Sequence, residues 1–235
     1  MLPIVVLAGG LGTRLGALTQ QLPKCLIEIN GKPFVHWQVS ALRDAGYEYF
    51  VFCVSHKSSL VMDFLGDGSR LGVKIEYSLD GEKQLGTGGA LKGALNLLGP
   101  DFGVIYGDSY LPINYFEVEE NFLNRRTRVL MTVFKNSNQN HPNNVYLKAD
   151  QSIFYNKHVQ DPRMKHIDYG LMYMEASVFG NTEPNSFFDL ADLLSNLSDL
   201  EEVTGFEVYN SFYEIGSEQG IKEFSKFLRE GHNEF

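Results

Sequence analysis

The sequence predicts an α/β protein built on a doubly wound, Rossmann-like and mostly parallel sheet. Three observations predict this class: an apolar run ends in glycines near the N-terminus, strand-like and helix-like patterns alternate as far as residue 135, and the composition is that of a globular domain. The 235 residues are 43% hydrophobic and 21% charged, which supports a sizeable core and excludes disordered, collagen-like and coiled-coil chains. This length fits one large domain better than two independent cores.

The elements of the first half follow from the hydrophobic pattern. Residues 2–8 form a continuous apolar run before Gly9-Gly10, which is typical of a central parallel strand closed by a tight turn. Helical spacing of apolar residues predicts four helices, at 33–45, 58–65, 89–98 and 115–126. Short apolar runs between these helices predict four further strands, at 49–54, 73–77, 102–106 and 129–134.

The pattern of apolar and polar residues changes in the second half of the chain. Residues 136–144 form a polar, asparagine-rich loop, and three short strand-like segments follow it, at 145–148, 152–155 and 171–174. Helical periodicity returns at 187–197 and 219–228. We therefore predict a single domain, 1–235, with a mostly parallel half at 1–135 and an inserted, more antiparallel half at 136–235 that ends in a C-terminal helix.

Charge and cysteine content exclude several classes of function. Lys plus Arg number 20 and Asp plus Glu number 29, so the net charge is −9, and an extended surface for nucleic acid or an anionic membrane is not expected. Cys25 and Cys53 show neither zinc-ligand spacing nor a disulfide framework, which predicts a reduced, cytoplasmic protein. Residues 2–8 are too few for a membrane span and lack a basic flank, so a signal peptide is not expected either.

A glycine-rich loop, Gly9-Gly-Leu-Gly-Thr-Arg14, follows the first strand. Ligands bind at the carboxyl ends of the strands in open parallel sheets, and glycines let the backbone approach a phosphate there. Thr13 and Arg14 would add a hydroxyl and a fixed cation. The same glycines could serve only a tight turn, so the loop by itself leaves ligand binding open.

Two other nucleotide-binding motifs fit this loop poorly. A P-loop needs Gly-Lys-Ser or Gly-Lys-Thr, which the sequence lacks. The glycines at 10, 12 and 16 resemble a relaxed dinucleotide fingerprint, but that motif requires a helix at this point and an acidic residue at the end of the second strand. Instead, an extended, proline-punctuated segment at 22–33 is expected to hold Lys24 near the loop, and the second strand ends in Ser55-His-Lys57.

The motifs together resemble one family. The segment L-A-G-G-L-G-T-R-L at 7–15, followed by Pro23-Lys24 and by Gly31-Lys-Pro-Phe34, is similar to the signature of the sugar-1-phosphate nucleotidylyltransferases. Five further motifs fall in the order that this family shows, so the resemblance covers essentially the whole chain: those at 85–90, 106–110, 155–157, 167–170 and 213–216. Within the family, the segments at 106–111 and 167–171 look most like the bacterial D-glycero-D-manno-heptose 1-phosphate guanylyltransferase group. The resemblance implies the nucleotidyltransferase type of α/β fold, with a nucleotide-binding half at 1–135 and a sugar-phosphate-binding half at 136–235.

The resemblance also implies a reaction. A nucleoside monophosphate would pass from an NTP, GTP in the group named above, to a sugar 1-phosphate in a single displacement that releases pyrophosphate. Such a transfer depends on neutralising phosphate charge, and the resemblance assigns that role to Arg14 and Lys24. It makes Asp108 the third catalytic residue, as a ligand of the metal ion. It assigns the nucleotide contacts to ten residues: Leu7, Ala8, Gly9, Gly10, Gly12, Thr13, Asp80, Glu82, Gly86 and Thr87. The glycines at 85–90 are expected to pack against the flat nucleobase. The two acids of this set are the nearest acceptors for a guanine edge, and their position equally fits two exposed acids of a turn.

By the same resemblance the chain has a sugar-phosphate site and a magnesium site. Six residues would contact the sugar 1-phosphate: Tyr110, Asn144, Asn156, Lys157, Asp168 and Tyr169. Asp108 and Glu214 would hold Mg²⁺, which prefers carboxylate, phosphate and water oxygens. This chain departs from the family pattern at two of these positions, because Glu214 stands where the family usually has an aspartate and Asn156 where it commonly has an acid.

Other functions stay open at this level. The same fold could serve a uridylyltransferase, a cytidylyltransferase or a mannose-1-phosphate guanylyltransferase, or a non-catalytic subunit that senses a nucleotide sugar. The joint presence of Arg14, Lys24 and Asp108 argues against the non-catalytic subunit. An NAD(P)-dependent dehydrogenase is a third class. The expected partners are an NTP and a sugar 1-phosphate, without nucleic acid or membrane, and a homodimer is one of the assemblies left open.

Overall fold

A computed structural model describes residues 1–10, 22–55, 57–81, 84–125, 127–137 and 142–231 of the chain. Within these residues the strands are β1 (Ile4–Leu7), β2 (Glu28–Ile29), β3 (Lys32–Pro33), β4 (Tyr49–Val54), β5 (Lys74–Leu79), β6 (Asp101–Tyr106), β7 (Ser109–Tyr110), β8 (Val129–Lys135), β9 (Val145–Leu147), β10 (Ile153–Tyr155), β11 (His166–Glu175), β12 (Val203–Val208) and β13 (Tyr213–Glu214). The helices are α1 (Phe34–Asp44), α2 (Ser58–Leu65), α3 (Gly86–Ala94), α4 (Tyr115–Leu123), α5 (Leu190–Asp199) and α6 (Glu218–Arg229). Short 3-10 turns cover Lys24–Leu26, Ser69–Leu71, Leu95–Leu97 and Ala176–Phe179.

Nine of the strands in the described part of the chain form one mixed sheet. Its order runs β5-β4-β1-β6-β11-β8-β12, with β9 and β10 added at the start of β11. Strands β5, β4, β1 and β6 are parallel to one another, β11 is antiparallel to β6 and β8, and β12 is parallel to β8. The predicted α/β class with a mostly parallel sheet is confirmed. Since β11 joins the two groups of strands, the sheet runs through both halves, and the division at residue 135 stays a prediction.

The prediction lacks the two-residue strands β2, β3, β7 and β13. In the main sheet, two strands differ from the prediction because glycines interrupt their hydrophobic pattern. The prediction lacks β12, in which Gly205 occupies a position where a Cβ would lie 2.6 Å from the Leu147 side chain. β11 begins at His166 rather than at residue 171, since it contains Gly170, with φ at +110°, and a bulge between Asp168 and Met172. A glycine inside a strand marks a close approach or a bulge and weakens the signal of the strand itself.

Alternating side chains of the central strand pack into two cores. Ile4 and Val6 of β1 belong to the cluster that contains residues of α1, α2 and α4, whereas Val5 belongs to the cluster with α3 and α5. All three side chains are fully buried, as expected of a parallel strand covered on both faces. A third, smaller cluster lies under α6, where Phe224 packs edge-on against Phe34.

The topology brings the ends of several strands to one edge of the sheet. Strands β1, β4, β5, β6, β8 and β12 run in the same direction, so their carboxyl ends lie together with the start of the antiparallel β11. Open α/β sheets bind their ligands at this edge. No helix in the described residues combines the length and the hydrophobicity that a membrane span needs.

Candidate functional site

Two cavities lie at this edge of the sheet. The first cavity has a volume of about 450 Å³ and is lined by the segments that follow β1 and β5, by Lys24 and by the first turn of α3. The second cavity has a volume of about 460 Å³ and is lined by the start of β11, by Lys157 and by Glu214. Tyr106 and Asp108 line both, so the two cavities meet at the turn that follows β6.

The turn after β6 is held from two sides. Gly107 donates its N–H to the Leu7 carbonyl at 3.0 Å, and a Cβ on Gly107 would lie 2.8 Å from that oxygen, so a side chain here would push the turn away from the end of β1. From α1, the Gln38 amide group donates to backbone carbonyls on either side of Asp108, at 2.8 and 2.7 Å. Because Gln38 is buried, water does not compete for these bonds, and they fix the backbone that carries Asp108.

Lys24 reaches the same turn from a segment 84 residues earlier in the chain. It begins the 3-10 turn, whose backbone closes on Pro23 through a hydrogen bond of 2.9 Å and whose second residue, Cys25, is buried. The Lys24 ammonium donates to Asp108 Oδ2 at 2.7 Å, and both side chains are largely shielded from solvent. This charge-assisted bond places one cation and one anion where the two cavities meet.

A second carboxylate, that of Glu214, is brought to the same place by backbone pairing. β13 pairs with β7 so that Glu214 lies opposite Ser109, and Ile215 donates its N–H to the Asp108 carbonyl at 3.0 Å. Both carboxylates line the second cavity. In the described ranges, no group of three or more His, Cys, Asp or Glu side chains is arranged to hold a metal ion. Two carboxylates that line one cavity are nevertheless a donor set that fits Mg²⁺, which commonly takes its remaining ligands from substrate and water.

Asp168 is a half-buried acid of the second cavity. Its Oδ2 accepts a hydrogen bond from the Tyr106 hydroxyl at 2.9 Å, and its Oδ1 accepts one from the Gly170 N–H at 3.0 Å. The Asp168 N–H donates to Asn144 Oδ1 at 3.0 Å. Loss of hydration raises the pKa of the Asp168 carboxyl above its ordinary value, and the charge of Lys157 and the two hydrogen bonds oppose this only in part. An acid with a shifted pKa beside a lysine is typical of a binding site.

At two positions of α3 only glycine fits, because other parts of the protein pack against the helix there. The helix begins at Gly86 rather than at residue 89, and Gly86 lines the first cavity. A Cβ on Gly88 would overlap the Phe188 ring, and one on Gly89 would collide with the Ser186 carbonyl. The expectation that a nucleobase explains these glycines is therefore wrong for Gly88 and Gly89, whose close neighbours are atoms of the 186–188 segment.

The residues predicted to bind a nucleotide fall into two groups. Seven of them line the first cavity: Leu7, Ala8, Gly9, Gly10, Asp80, Gly86 and Thr87. Within this group, burial raises the pKa of the Asp80 carboxyl, which accepts a hydrogen bond from the Leu85 N–H at 3.2 Å. The other three, Gly12, Thr13 and Glu82, lie outside the described residues, as does the predicted catalytic residue Arg14, and their roles stay predictions.

The residues predicted to bind a sugar phosphate also divide. Four line the second cavity: Asn144, Lys157, Asp168 and Tyr169. Tyr110 lies instead in the aromatic cluster under α6, with its ring centre 4.8 Å from that of Phe224. The Asn156 side chain donates to Ser195 Oγ at 3.1 Å and accepts from the His158 N–H at 2.8 Å. Tyr110 and Asn156 thus serve protein contacts and line neither cavity.

The sequence prediction of site residues misses Gln38, Tyr106 and Phe187. The sequence does contain an indication for Gln38, because this polar residue interrupts the apolar stripe of α1 between Phe34 and Leu42. A polar side chain in such a stripe is normally hydrogen-bonded in the core. Tyr106 lies in the motif at 106–110, but the sequence predicts only that it ends a strand. Phe187 lines the first cavity from a loop about 80 residues after the other cavity residues, and local pattern carries no sign of such a contact.

Comparison with known proteins relates the chain to one family. A family model described as "Nucleotidyl transferase" matches residues 4–180. The chain is 35% identical over 117 residues to a D-glycero-alpha-D-manno-heptose 1-phosphate guanylyltransferase of Campylobacter jejuni, a match that covers 50% of this chain and 52% of that protein. It is 38% identical over 112 residues to an N-acetylmuramate alpha-1-phosphate uridylyltransferase of Neisseria meningitidis, with coverage of 47% and 48%. The matched segments span about half the length of these curated relatives.

Solved structures share the fold over nearly the whole chain. HddC from Yersinia pseudotuberculosis is similar with a TM-score of 0.82 at 24% identity, and the match covers 97% of this chain and 100% of that one. The inositol-1-phosphate CTP transferase from T. maritima is similar with a TM-score of 0.80 at 23% identity, covering 98% and 97%. At these identities the likeness concerns the fold alone.

The packing of α3 predicts opposite effects for two glycine substitutions in one helix. Gly89→Ala should destabilise the protein by about 1–3 kcal/mol, because its Cβ would collide with the Ser186 backbone. Gly93→Ala is the matched control: its nearest neighbour would be Ser78 Oγ at 3.6 Å, so the gain in helix propensity should stabilise by about 0.5–1 kcal/mol. Urea unfolding measures both, and equal stability of the two variants would contradict the packing described.

The half-buried Asp168 of the second cavity predicts a pH-dependent stability difference. Since the folded-state pKa of Asp168 is raised, the folded protein binds this proton more tightly than the unfolded chain, and stability falls as the pH rises above about 4. Asp168→Asn keeps an acceptor but removes the charge, so its melting temperature should exceed that of the wild type near pH 7. The difference should shrink as the pH falls towards 4.

A control of opposite sign is available for that measurement. Hydrogen bonds from Ser152 lower the pKa of the exposed Asp150 carboxyl, so Asp150→Asn should lose stability relative to the wild type as the pH rises. A wild type that is more stable than Asp168→Asn at pH 7, or a difference that does not depend on pH, would contradict the assignment of Asp168 as a destabilising half-buried acid.

Proposed function

The chain belongs to the nucleotidyl transferase family, and on this basis we propose that it is a sugar-1-phosphate nucleotidyltransferase. It would join the nucleoside monophosphate of an NTP to a sugar 1-phosphate and release pyrophosphate. The observation that carries the proposal is the meeting of two cavities at Asp108, beside the Lys24 ammonium. A transfer between two substrates needs two sites that open onto one reacting point.

The first cavity suits the nucleoside triphosphate. Part of its lining is apolar, with Leu7, Ala8 and Ala90, which is what a base and a ribose require. Another part is formed by the Gly9-Gly10 backbone and by Lys24, where N–H groups and an ammonium would neutralise phosphate charge. In this proposal Arg14 adds a second cation at the same end.

The second cavity suits the sugar 1-phosphate. Lys157 supplies a cation for the acceptor phosphate, and Asn144 and Asp168 supply polar atoms for the ring hydroxyls. Tyr106 lines this cavity as well as the first one. An acceptor bound here would present its phosphate towards Asp108 and Lys24, where the phosphates of the donor would lie.

The reaction itself would be a single in-line displacement. An oxygen of the sugar phosphate attacks the α-phosphorus of the NTP, and pyrophosphate leaves with the electron pair of the broken bond. The reacting phosphates are all anions, so the protein must bring them together and neutralise their charge rather than supply a nucleophile. Lys24 is in a position to do so, since its ammonium lies where both cavities open.

Magnesium is part of the proposal. Asp108 and Glu214 would hold the ion, and their carboxylates line the second cavity on two backbone segments that are hydrogen-bonded to each other. When bound, the ion would offset the charge that phosphate oxygens carry and would orient them. The protein has a net charge of −9, so such an offset would matter more here than in a basic protein.

We further propose GTP and D-glycero-D-manno-heptose 1-phosphate as the substrates. Support comes from the motifs at 106–111 and 167–171, from the name of the Campylobacter relative, and from Asp80, whose carboxylate in the first cavity is an acceptor for a guanine edge. The second candidate is a uridylyltransferase, favoured by the match to the Neisseria protein.

A cytoplasmic location belongs to the same proposal, because both cysteines, Cys25 and Cys53, are free thiols. The oligomeric state is left open.

One experiment tests this function directly. Pyrophosphate release is measured with the purified protein over a grid of four nucleoside triphosphates and a panel of sugar 1-phosphates that includes heptose, mannose, glucose and N-acetylmuramate derivatives. We expect the highest kcat/KM for GTP with the heptose. A higher value for UTP or CTP would overturn the base assignment while the reaction class stands. No release with any pair, together with tight binding of a nucleotide sugar, would indicate the non-catalytic sensing subunit instead.

The Lys24–Asp108 pair predicts the effect of two substitutions on turnover. Lys24→Ala and Asp108→Asn should each lower kcat on the order of a hundredfold or more, the size of effect seen when one preorganised charge partner of a transition state is removed. Lys148→Ala is the matched control, because Lys148 pairs with the exposed Glu201 and lines neither cavity. Urea unfolding checks that the variants are folded. Turnover within a fewfold of the wild type for Lys24→Ala would rule out its proposed role.

A further inference from the structure

One large apolar side chain lies exposed at the mouth of the first cavity. Phe187 is 74% exposed although it lines that cavity, whereas the neighbouring Phe188 packs against Gly88. The ring of Phe187 lies next to Gly86: a Cβ there would be 3.3 Å from Phe187 Cε2. An exposed aromatic ring that is held at a ligand cavity is available to a bound ligand, and contact with the ligand would remove its apolar surface from water.

The backbone around Phe187 is fixed to α3 by several hydrogen bonds. Phe188 donates its N–H to the Leu85 carbonyl at 3.0 Å and accepts from the Gly88 N–H at 3.1 Å. One residue further, Asp189 Oδ1 accepts from the Thr87 hydroxyl at 2.8 Å. Gly86 has φ at +72°, and a Cβ there would also lie 2.5 Å from the Phe188 carbonyl, so a glycine is required for this contact. The segment therefore presents the Phe187 ring from a rigid position rather than from a free loop.

Part of the lining of the first cavity is apolar and suits a flat aromatic group. Ala90 and Leu7 line the cavity from α3 and from the end of β1, and the cavity volume of about 450 Å³ is sufficient for a nucleoside. The cationic group, Lys24, lies in the same cavity. A nucleotide with its phosphates at Lys24 and at the Gly9-Gly10 backbone would direct its base to the part of the cavity lined by Gly86 and Phe187.

We propose that Phe187 stacks on the nucleobase of the bound nucleoside triphosphate. This inference rests on the proposed function only in assigning the nucleotide to the first cavity. Stacking on an aromatic ring favours every base, because each has a π-face, and it favours purines more through their larger ring area. Phe187 lies in the second half of the chain, between β11 and α5, so the donor site would be completed by a residue from outside the predicted nucleotide-binding half.

Binding of nucleotides without acceptor tests the proposal. The Kd of Mg²⁺–GTP and of Mg²⁺–UTP is measured by titration calorimetry for the wild type and for Phe187→Ala, with tripolyphosphate as a probe that has the phosphates but no base. We expect Phe187→Ala to raise the Kd for GTP roughly five- to hundredfold, to raise that for UTP less, and to leave that for tripolyphosphate unchanged. Phe116→Ala is the matched control, since Phe116 is 54% exposed on α4 and lines neither cavity.

A spectroscopic readout separates stacking from a structural effect. The sequence has one tryptophan, Trp37, so Phe187→Trp adds a single reporter and keeps an aromatic face. Its added fluorescence should be quenched by GTP and not by tripolyphosphate, and its Kd for GTP should match that of the wild type.

Three results would overturn the proposal. The first is an unchanged Kd for GTP in Phe187→Ala, and the second is an equal loss of affinity for GTP and for tripolyphosphate in that variant. The third is a changed oligomeric state of Phe187→Ala in light scattering with unchanged nucleotide affinity, which would assign the ring to a protein interface. Pyrophosphate release by the wild type is measured in parallel. An active wild type with an indifferent Phe187→Ala contradicts this inference alone, whereas a wild type that binds nucleotides without turnover contradicts the proposed function alone.

Discussion

The ion pair between Lys24 and Asp108 is the interaction on which the arrangement of this site depends. The two residues are 84 positions apart in the chain and meet at 2.7 Å. Asp108 is placed there because β1 and β6 are adjacent in the sheet and because Gly107 lets the turn after β6 lie against the end of β1. Two hydrogen bonds from the Gln38 side chain on α1 hold that turn in place. Without the lysine, a protein of net charge −9 would present a partly buried carboxylate to anionic ligands at the junction.

Two side chains of the cavities are placed at the expense of local stability. Asp168 is half-buried with a raised pKa, and the aromatic ring of Phe187 stays exposed. Each would be unfavourable in a protein that only had to fold, and each becomes useful when a ligand with hydroxyls or a base occupies the neighbouring cavity. The sheet beneath is conventional by contrast, with β1 buried on both faces. The rigid core thus supports the features that a binding site needs.

The sequence predicted best those features that depend on neighbouring residues, and worst those that depend on contacts between distant segments. β4 and α2 have the predicted bounds, because their periodicity is uninterrupted over their whole length. β12 was missed since Gly205 breaks its pattern, and its evidence lies in pairing with β8, far away in the chain. The carboxyl edge of the sheet and most cavity residues followed from motifs placed at strand ends. The roles of Gln38 and Phe187 did not, because they arise from packing between distant segments. Gly88 and Gly89 were explained by a ligand, whereas the Phe188 ring and the Ser186 carbonyl are the atoms that leave no room for a side chain.

The central claim is that two substrates bind at once in two cavities that meet beside Asp108. A crystal structure with a non-transferable analogue of the preferred NTP, the preferred sugar 1-phosphate and Mg²⁺ tests it most directly. The account predicts the nucleoside in the first cavity, the sugar in the second, and the α-phosphate and the acceptor phosphate within contact distance of Lys24. Both ligands competing for one cavity, or phosphates bound away from Lys24 and Asp108, would contradict it.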